Sequence, residues 1–146
     1  MNRAILVALG TGAIISSAAA FTAGGAGDDG PAISQQQYET RMRAIGSERA
    51  AHEARCDGVA GFEHDLCRIE AAANESVHAA EAEAAFRRTQ QSARAAQRAR
   101  IDARYQVDRA RCGALGGFRR DKCLVQVHAS RGRAMLAAAQ PYEVRF

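Results

Sequence analysis

The segment ARCDGVAGFEHDLC, Ala54 to Cys67, returns 56 positions later as ARCGALGGFRRDKC, Ala110 to Cys123. Seven of the fourteen positions are identical: one alanine, one arginine, two cysteines, one glycine, one phenylalanine and one aspartate. Apart from the cysteines, almost none of these residues performs covalent chemistry. We therefore interpret the repeated segment as an architectural unit.

Each copy has the layout of a disulfide-closed bend. The first cysteine ends one helix, a glycine follows five residues later, and the second cysteine opens the next helix. A helix that reverses over a short glycine turn and returns antiparallel brings two Cα atoms to the roughly 5.5 Å that a disulfide needs. We expect the pairs Cys56–Cys67 and Cys112–Cys123, each of which closes a loop of about 12 residues and contributes about 3 kcal/mol.

Two further residues of each copy are expected to shape the bend. Gly61 and Gly117 are the positions where the backbone takes the left-handed conformation that other residues resist. Phe62 and Phe118 follow them directly, and we expect both rings to anchor the turn against its hairpin.

The N-terminus indicates export. Arg3, an apolar run at positions 4–15 and an Ala-x-Ala end at positions 18–20 form the three parts of a cleavable signal peptide, which we assign to residues 1–20. A transmembrane anchor is the alternative, but the run is shorter than the roughly 20 residues of a spanning helix. We expect the protein in the periplasm or secreted, where an oxidising environment keeps disulfides formed.

Glycine and proline positions predict an all-α fold. Residues 21–34 are expected to be a flexible linker, and Ser34 with Gln37 predicts a capping box that opens a helix over residues 35–57. No glycine or proline occurs between Gly61 and Gly113. This segment is predicted to form one helix of about 75 Å or two nearly continuous helices. Polar residues at 74–76 and 89–92 mark its weak points.

We therefore predict an elongated protein of two tandem disulfide-closed helical hairpins that share a long central helix. The units are an acidic repeat over residues 35–89 and a basic repeat over residues 90–140, with a tail at 141–146. A continuous central helix would hold Cys67 and Cys112 roughly 67 Å apart. Under that condition neither the cysteines of different units nor the two turns can meet.

Charge is divided unequally along the chain. Residues 28–83 contain 12 acidic and 5 basic residues, whereas residues 84–146 contain 4 acidic and 14 basic residues. This division predicts either an anionic envelope partner for the basic half, or attraction of the two halves within one chain or between copies. Export argues against nucleic acid. The candidate anion-binding residues are Arg94, Arg98, Arg100, Arg104 and Arg111. The alternative is that these arginines form a solvated face, with the aliphatic parts of their side chains covering a thin core.

A metal site is the main alternative function. His52 precedes Cys56 by four residues and His64 precedes Cys67 by three, so two imidazoles and two thiolates are available for zinc or copper. The second copy carries Asp108 in place of His52 and an arginine in place of His64. We therefore expect a structural bridge and no metal or other cofactor.

Enzymatic signatures are missing from the sequence. The ten residues between the cysteines of each pair differ from the two of redox catalysts, and no serine stands in a nucleophile motif. We expect a non-enzymatic protein that acts by structural association or by binding an anionic envelope component or a partner protein.

The spacing of Tyr105, Cys112, Gly117 and Cys123 is Tyr-x6-Cys-x4-Gly-x5-Cys. It resembles that of small exported alanine-rich proteins of Gram-negative bacteria that carry such units in tandem. The first copy departs from the pattern at Arg49, which stands where the tyrosine is expected. The resemblance implies a repeat architecture and an envelope location, and it implies no activity.

Overall fold

The computed structural model describes residues 32–139, which form four α-helices and one 3₁₀ turn. The helices are α1 Gln35–Cys56, α2 Gly61–Arg87, α3 Gln90–Arg111 and α4 Gly117–Ala139, with the turn Cys112–Ala114 after α3. The all-α class and the two disulfide-closed hairpins, α1–α2 and α3–α4, are confirmed. The predicted signal peptide, most of the linker and the tail lie outside the described residues.

The start of α1 agrees with the capping box in the sequence. The Ser34 side chain accepts a hydrogen bond from the backbone N–H of Gln37, and the Gln37 side chain accepts one from the backbone N–H of Ser34 at 2.7 Å. Two of the free N–H groups at the helix start are satisfied in this way.

The chain reverses at Arg88 and Thr89, where the prediction allowed one long central helix. Arg88 has a φ of 50°, and a second capping box joins Thr89 to Ser92. The Thr89 hydroxyl accepts from the Ser92 N–H at 3.0 Å, and the Ser92 hydroxyl accepts from the Thr89 N–H at 3.2 Å. The segment between the bridges is therefore two antiparallel helices, so the shared long central helix is not formed.

The four helices follow one another as a single antiparallel layer. α2 packs on α1 and on α3, α3 packs on α4, and no other pair of these helices packs extensively within residues 32–139. One ion pair or more fixes each interface: Arg49 with Glu75 between α1 and α2, Arg100 with Glu81 (2.7 Å) and Arg111 with Glu70 (2.9 Å) between α2 and α3, and Arg131 with Asp102 (2.7 Å) between α3 and α4.

Both disulfide-closed bends lie at the same end of this layer. The ring of Phe62 in the first bend lies against Gly113 in the second, where an added Cβ would be 3.4 Å from the ring. The expectation that the two turns cannot meet is therefore wrong, because it depended on a continuous central helix. The predicted cysteine pairs are nevertheless the ones that form.

The buried core is thin and built mostly of small side chains. Among the described residues, the buried apolar positions are Ile45, Cys56, Ala71, Ala73, Ala82, Ala96 and Cys112. Alanine at the helix contacts allows the helices to approach closely, which suits the near end of the usual 8–10 Å range of interaxial distances.

No helix within residues 32–139 combines the length and the hydropathy that a membrane span requires.

Thr89→Ala removes the hydroxyl that caps α3, and we expect the free energy of unfolding to fall by about 1 kcal/mol. Urea denaturation followed by circular dichroism measures the change. Ser34→Ala loses the same kind of hydrogen bond at the start of α1, where fraying separates no helices, so its effect is smaller. Equal losses in the two variants would contradict a special role for the reversal.

Phe62→Ala removes a ring that packs between the two bends, and we expect a loss of about 1–2 kcal/mol, part of the value for a fully buried phenylalanine. Phe118→Ala is the matched control, because Phe118 occupies the equivalent position of the second unit and is 80% exposed. Its effect should stay within about 0.5 kcal/mol. A loss on Phe118→Ala as large as that on Phe62→Ala would contradict the contact between the bends.

Candidate functional site

Two disulfides close the bends as the sequence predicts. Cys56 and Cys67 have Cα atoms 5.6 Å apart, and Cys112 and Cys123 have Cα atoms 5.7 Å apart. Cys56 and Cys112, at the helix ends, are fully buried. No cysteine of residues 32–139 is free.

The bend residues agree with the prediction at three positions of four. Gly61 and Gly117 open α2 and α4 with φ of 58° and 50°, the left-handed region that a Cβ disfavours. Phe62 is half-buried, as expected of an anchor. Phe118 is exposed instead of anchored, since no described element packs beyond its side of α4.

The predicted four-ligand metal set is not brought together. One ligand atom each from His52, Cys56 and Cys67 lie within 4.8 Å of one another. His64 is not part of this group; its imidazole lies 3.5 Å from a carboxylate oxygen of Asp65 and 3.9 Å from one of Asp57. In the structure the two sulfurs are bonded to each other, so no thiolate is present at this position.

The five arginines predicted to bind an anion do not form one site. Arg100 and Arg111 reach across to α2, where they pair with Glu81 and Glu70, and Arg104 lies 3.5 Å from Asp108 in its own helix. The charges of Arg100 and Arg111 thus help to hold the two hairpins together.

Arg94 and Arg98 lie apart from the other three. They line a groove of about 320 Å³ between α3 and α4, with Met135, Ala138 and Ala139 as its apolar wall. Within residues 32–139 neither arginine pairs with a carboxylate.

Most carboxylates of α2 are engaged by arginines. α2 contains six acidic residues and lies between α1 and α3. Four of them are engaged by arginines: Glu70 by Arg111, Glu75 by Arg49, Glu81 by Arg100 and Glu83 by Arg87. Two of these pairs, Glu70–Arg111 and Glu81–Arg100, join the acidic hairpin to the basic one within the same chain.

The outward side of α4 carries exposed apolar residues that the sequence-based predictions do not include as one surface. Phe118, Val125 and Leu136 are 80%, 68% and 71% exposed. At 100° per residue they lie within about 20° of one line along the helix. We call this line the outer apolar stripe. The signal in the sequence is a second apolar line on α4, opposite the half-buried one that contains Leu124 and Val127.

Cations border the outer apolar stripe. α4 contains five basic residues and one acidic residue. Arg131 alone of the five pairs with a carboxylate of the described residues, Asp102, and its guanidinium lies 4.9 Å from the centre of the Tyr105 ring. The other four are Arg119, Arg120, Lys122 and Arg133, all exposed. At 100° per residue, Lys122 and Arg133 lie within about 60° of the stripe.

Positions 56 residues apart in the two hairpins both make a contact between helices, with different chemistry. In the first unit Arg49 pairs with Glu75. Fifty-six residues later Tyr105 and Arg131 occupy these positions and make a cation–π contact instead. Both contacts join the two helices of one hairpin, through different residue types.

The open end of the first hairpin is closed by Tyr38 and Phe86, whose rings stack with centroids 4.8 Å apart. The Tyr38 hydroxyl donates a hydrogen bond to the Glu83 carboxylate, which raises the pKa of Tyr38. The same hydrogen bond, together with the Arg87 guanidinium, lowers the pKa of Glu83 from its ordinary value of 4.5. Glu83 thus stabilises the fold in its ionised form.

No protein-family model matches the chain, and comparison with curated proteins and with solved structures finds no similar protein.

Glu83→Gln tests the contribution of this carboxylate. Because the folded-state pKa is lowered, the stabilisation is present above the unfolded-state pKa and is lost as pH falls through the folded-state value. We expect the native protein to melt at a higher temperature than Glu83→Gln at pH 7, and the difference to shrink below about pH 4. Tyr38→Phe keeps the ring stack but loses the hydrogen bond to Glu83, so it should show part of the same decrease in melting temperature at pH 7. A difference in melting temperature between native protein and Glu83→Gln that stays constant from pH 7 to pH 3 would contradict the assignment.

Proposed function

We propose that this protein is a non-enzymatic component of the cell envelope that associates with an anionic, phosphate-bearing lipid surface through the outward side of α4. The single observation that carries the proposal is the outer apolar stripe bordered by cations that pair with no carboxylate of residues 32–139.

The apolar part of this surface suits the boundary between lipid headgroups and acyl chains. Three large side chains on one line of a helix of 23 residues allow the helix to lie in the plane of an interface with that line buried. Phe118 stands near one end of α4 and Leu136 near the other, so the contact would extend along the whole helix.

The charged part supplies attraction and selectivity for anions. Each lysine or arginine near a negatively charged lipid surface contributes about 1 kcal/mol. Arg119, Lys122 and Arg133 lie on the same flank of the stripe, at about 100°, 40° and 60° from it. Since Asp121 is the one acidic residue of α4, the helix as a whole presents positive charge to such a surface.

The expected export of the chain supports this setting. The signal-peptide layout of residues 1–20 predicts passage out of the cytoplasm, and disulfides such as the two observed here persist in oxidising compartments. Both features favour the periplasm or the cell exterior, where envelope lipids are accessible.

Association of copies through oppositely charged halves is less well supported. It would require free carboxylates on α2, and four of the six are engaged by arginines of the same chain. We therefore favour the lipid surface, and self-association becomes an outcome of the test below.

Co-sedimentation with vesicles measures the proposed binding. We expect the full chain without its signal peptide to bind phosphatidylglycerol vesicles at 50 mM salt, to bind phosphatidylcholine vesicles at least tenfold more weakly, and to lose affinity as salt is raised, because exposed charges are screened over about 8–10 Å. The variant Arg119→Gln/Lys122→Gln/Arg133→Gln should bind at least tenfold more weakly. Val125→Ser/Leu136→Ser should also bind more weakly at every salt concentration.

The matched control is Arg41→Gln/Arg43→Gln/Arg55→Gln, which removes the same charge from α1. These arginines likewise pair with no carboxylate of the described residues. Equal loss of binding in the control and in the α4 variant would show a net-charge effect and contradict the assigned surface. Salt-insensitive behaviour as an inert monomer, or salt-sensitive dimers that leave vesicles unbound, would overturn the proposal.

A further inference from the structure

The first disulfide lies beside a histidine, and the second does not. His52 is half-buried at the contact of α1 and α2, next to the Cys56–Cys67 bond. We propose that reduction of this bond converts the closed end of the first hairpin into a Zn²⁺ site formed by His52, Cys56 and Cys67. The inference is independent of the lipid surface proposed for α4.

The backbone already places the three ligands together. His52 and Cys56 are four residues apart on α1, so their side chains lie on the same face of that helix. Cys67 reaches the same point from α2, which is held antiparallel to α1 by the ion pair of Arg49 and Glu75. One ligand atom of each residue lies within 4.8 Å of the other two.

The donor set is the one that zinc prefers. A tetrahedral site with Zn–S of about 2.3 Å and Zn–N of about 2.0–2.1 Å separates its ligand atoms by roughly 3.4–3.8 Å. Starting from 4.8 Å or less, the imidazole needs to move by about 1 Å, and the sulfurs separate once their bond is broken. Three protein ligands leave a fourth position for water, as in open zinc sites.

The conversion is a balanced two-electron step followed by metal binding. A dithiol reductant delivers two electrons and two protons to the Cys56–Cys67 bond, becomes a disulfide itself, and leaves two thiols. Zn²⁺ then displaces the two thiol protons to solvent and is held by two thiolates and one neutral imidazole. Zinc has no redox chemistry of its own, so it binds the thiolates without oxidising them.

A path from solvent to the site is present. His52 lines a groove of about 390 Å³ between α1 and α2, together with Ala71, Asn74 and His78. Cys56 is fully buried and Cys67 is half-buried. The imidazole is therefore the ligand that an approaching ion meets in the groove, and the sulfurs lie behind it.

The second unit provides an internal comparison. Asp108 occupies the position equivalent to His52, and its carboxylate oxygens lie 3.5 Å from Arg104 and 3.8 Å from Arg111. No group of three potential ligands forms at the Cys112–Cys123 bridge or anywhere else within residues 32–139. The proposal thus predicts one zinc ion per chain and assigns it to the first unit.

Zinc titration of the full chain without its signal peptide tests this site. The protein is reduced with a phosphine, which adds no competing thiol, and Zn²⁺ is added in competition with a chromogenic chelator. We expect one ion per reduced chain and none per oxidised chain. His52→Ala should weaken binding by more than the roughly 10- to 100-fold that loss of an outer-shell partner costs. Co²⁺ in place of zinc should give a sulfur-to-metal charge-transfer band that His52→Ala alters.

Two controls separate this site from general thiol binding. Cys112→Ser/Cys123→Ser removes the second pair and should leave the stoichiometry at one, and His64→Ala should leave the affinity unchanged. If reduction unfolds the chain, zinc should restore helicity in the native sequence and fail to do so in His52→Ala. Two ions per chain, no binding, or binding that His52→Ala leaves unchanged would each overturn the proposal.

Discussion

The reversal of the chain at Arg88 and Thr89 is the constraint on which the rest of the structure depends. It folds the basic hairpin back on the acidic one, so Arg100 and Arg111 meet Glu81 and Glu70. The same reversal places α2, the most acidic helix, between α1 and α3. On α4, at the edge of the layer, four of the five cations pair with no carboxylate of the described residues.

Local features of the fold could be predicted from the sequence, whereas the reversal could not. The cysteine pairs and the left-handed glycines follow from short-range geometry. Both Asn74–Ser76 and Thr89–Ser92 were plausible breaks. At the first, the Ser76 hydroxyl bonds to the Ala73 carbonyl at 2.8 Å and the helix continues. At Thr89–Ser92, the reciprocal capping of α3 and the packing of α2 on α3 interrupt the helix. That packing is a long-range contact that amino-acid composition does not reveal.

At the candidate sites, too, the local sequence predicts the residue type, whereas long-range contacts decide its environment. Phe62 and Phe118 are identical in the repeat, yet one packs on Gly113 and the other is 80% exposed. The difference arises because the first bend lies beside the second hairpin, whereas within the described residues α4 has a neighbour on one side only. For the same reason Arg100 and Arg111 of α3 reach carboxylates of α2, while four of the five cations of α4 pair with no carboxylate of the described residues.

A distance between the two bends tests the reversal most directly. Spin labels can be introduced as non-native amino acids at Val59 and Leu115, which are both exposed, so the four cysteines stay in place. Double electron–electron resonance then measures the distance between the two labels. We expect a narrow distribution of distances centred between about 10 and 25 Å, which is one to two interhelix spacings plus the label arms. A continuous central helix would hold the two positions roughly 70 Å or more apart; a distribution without the short distance would contradict the account.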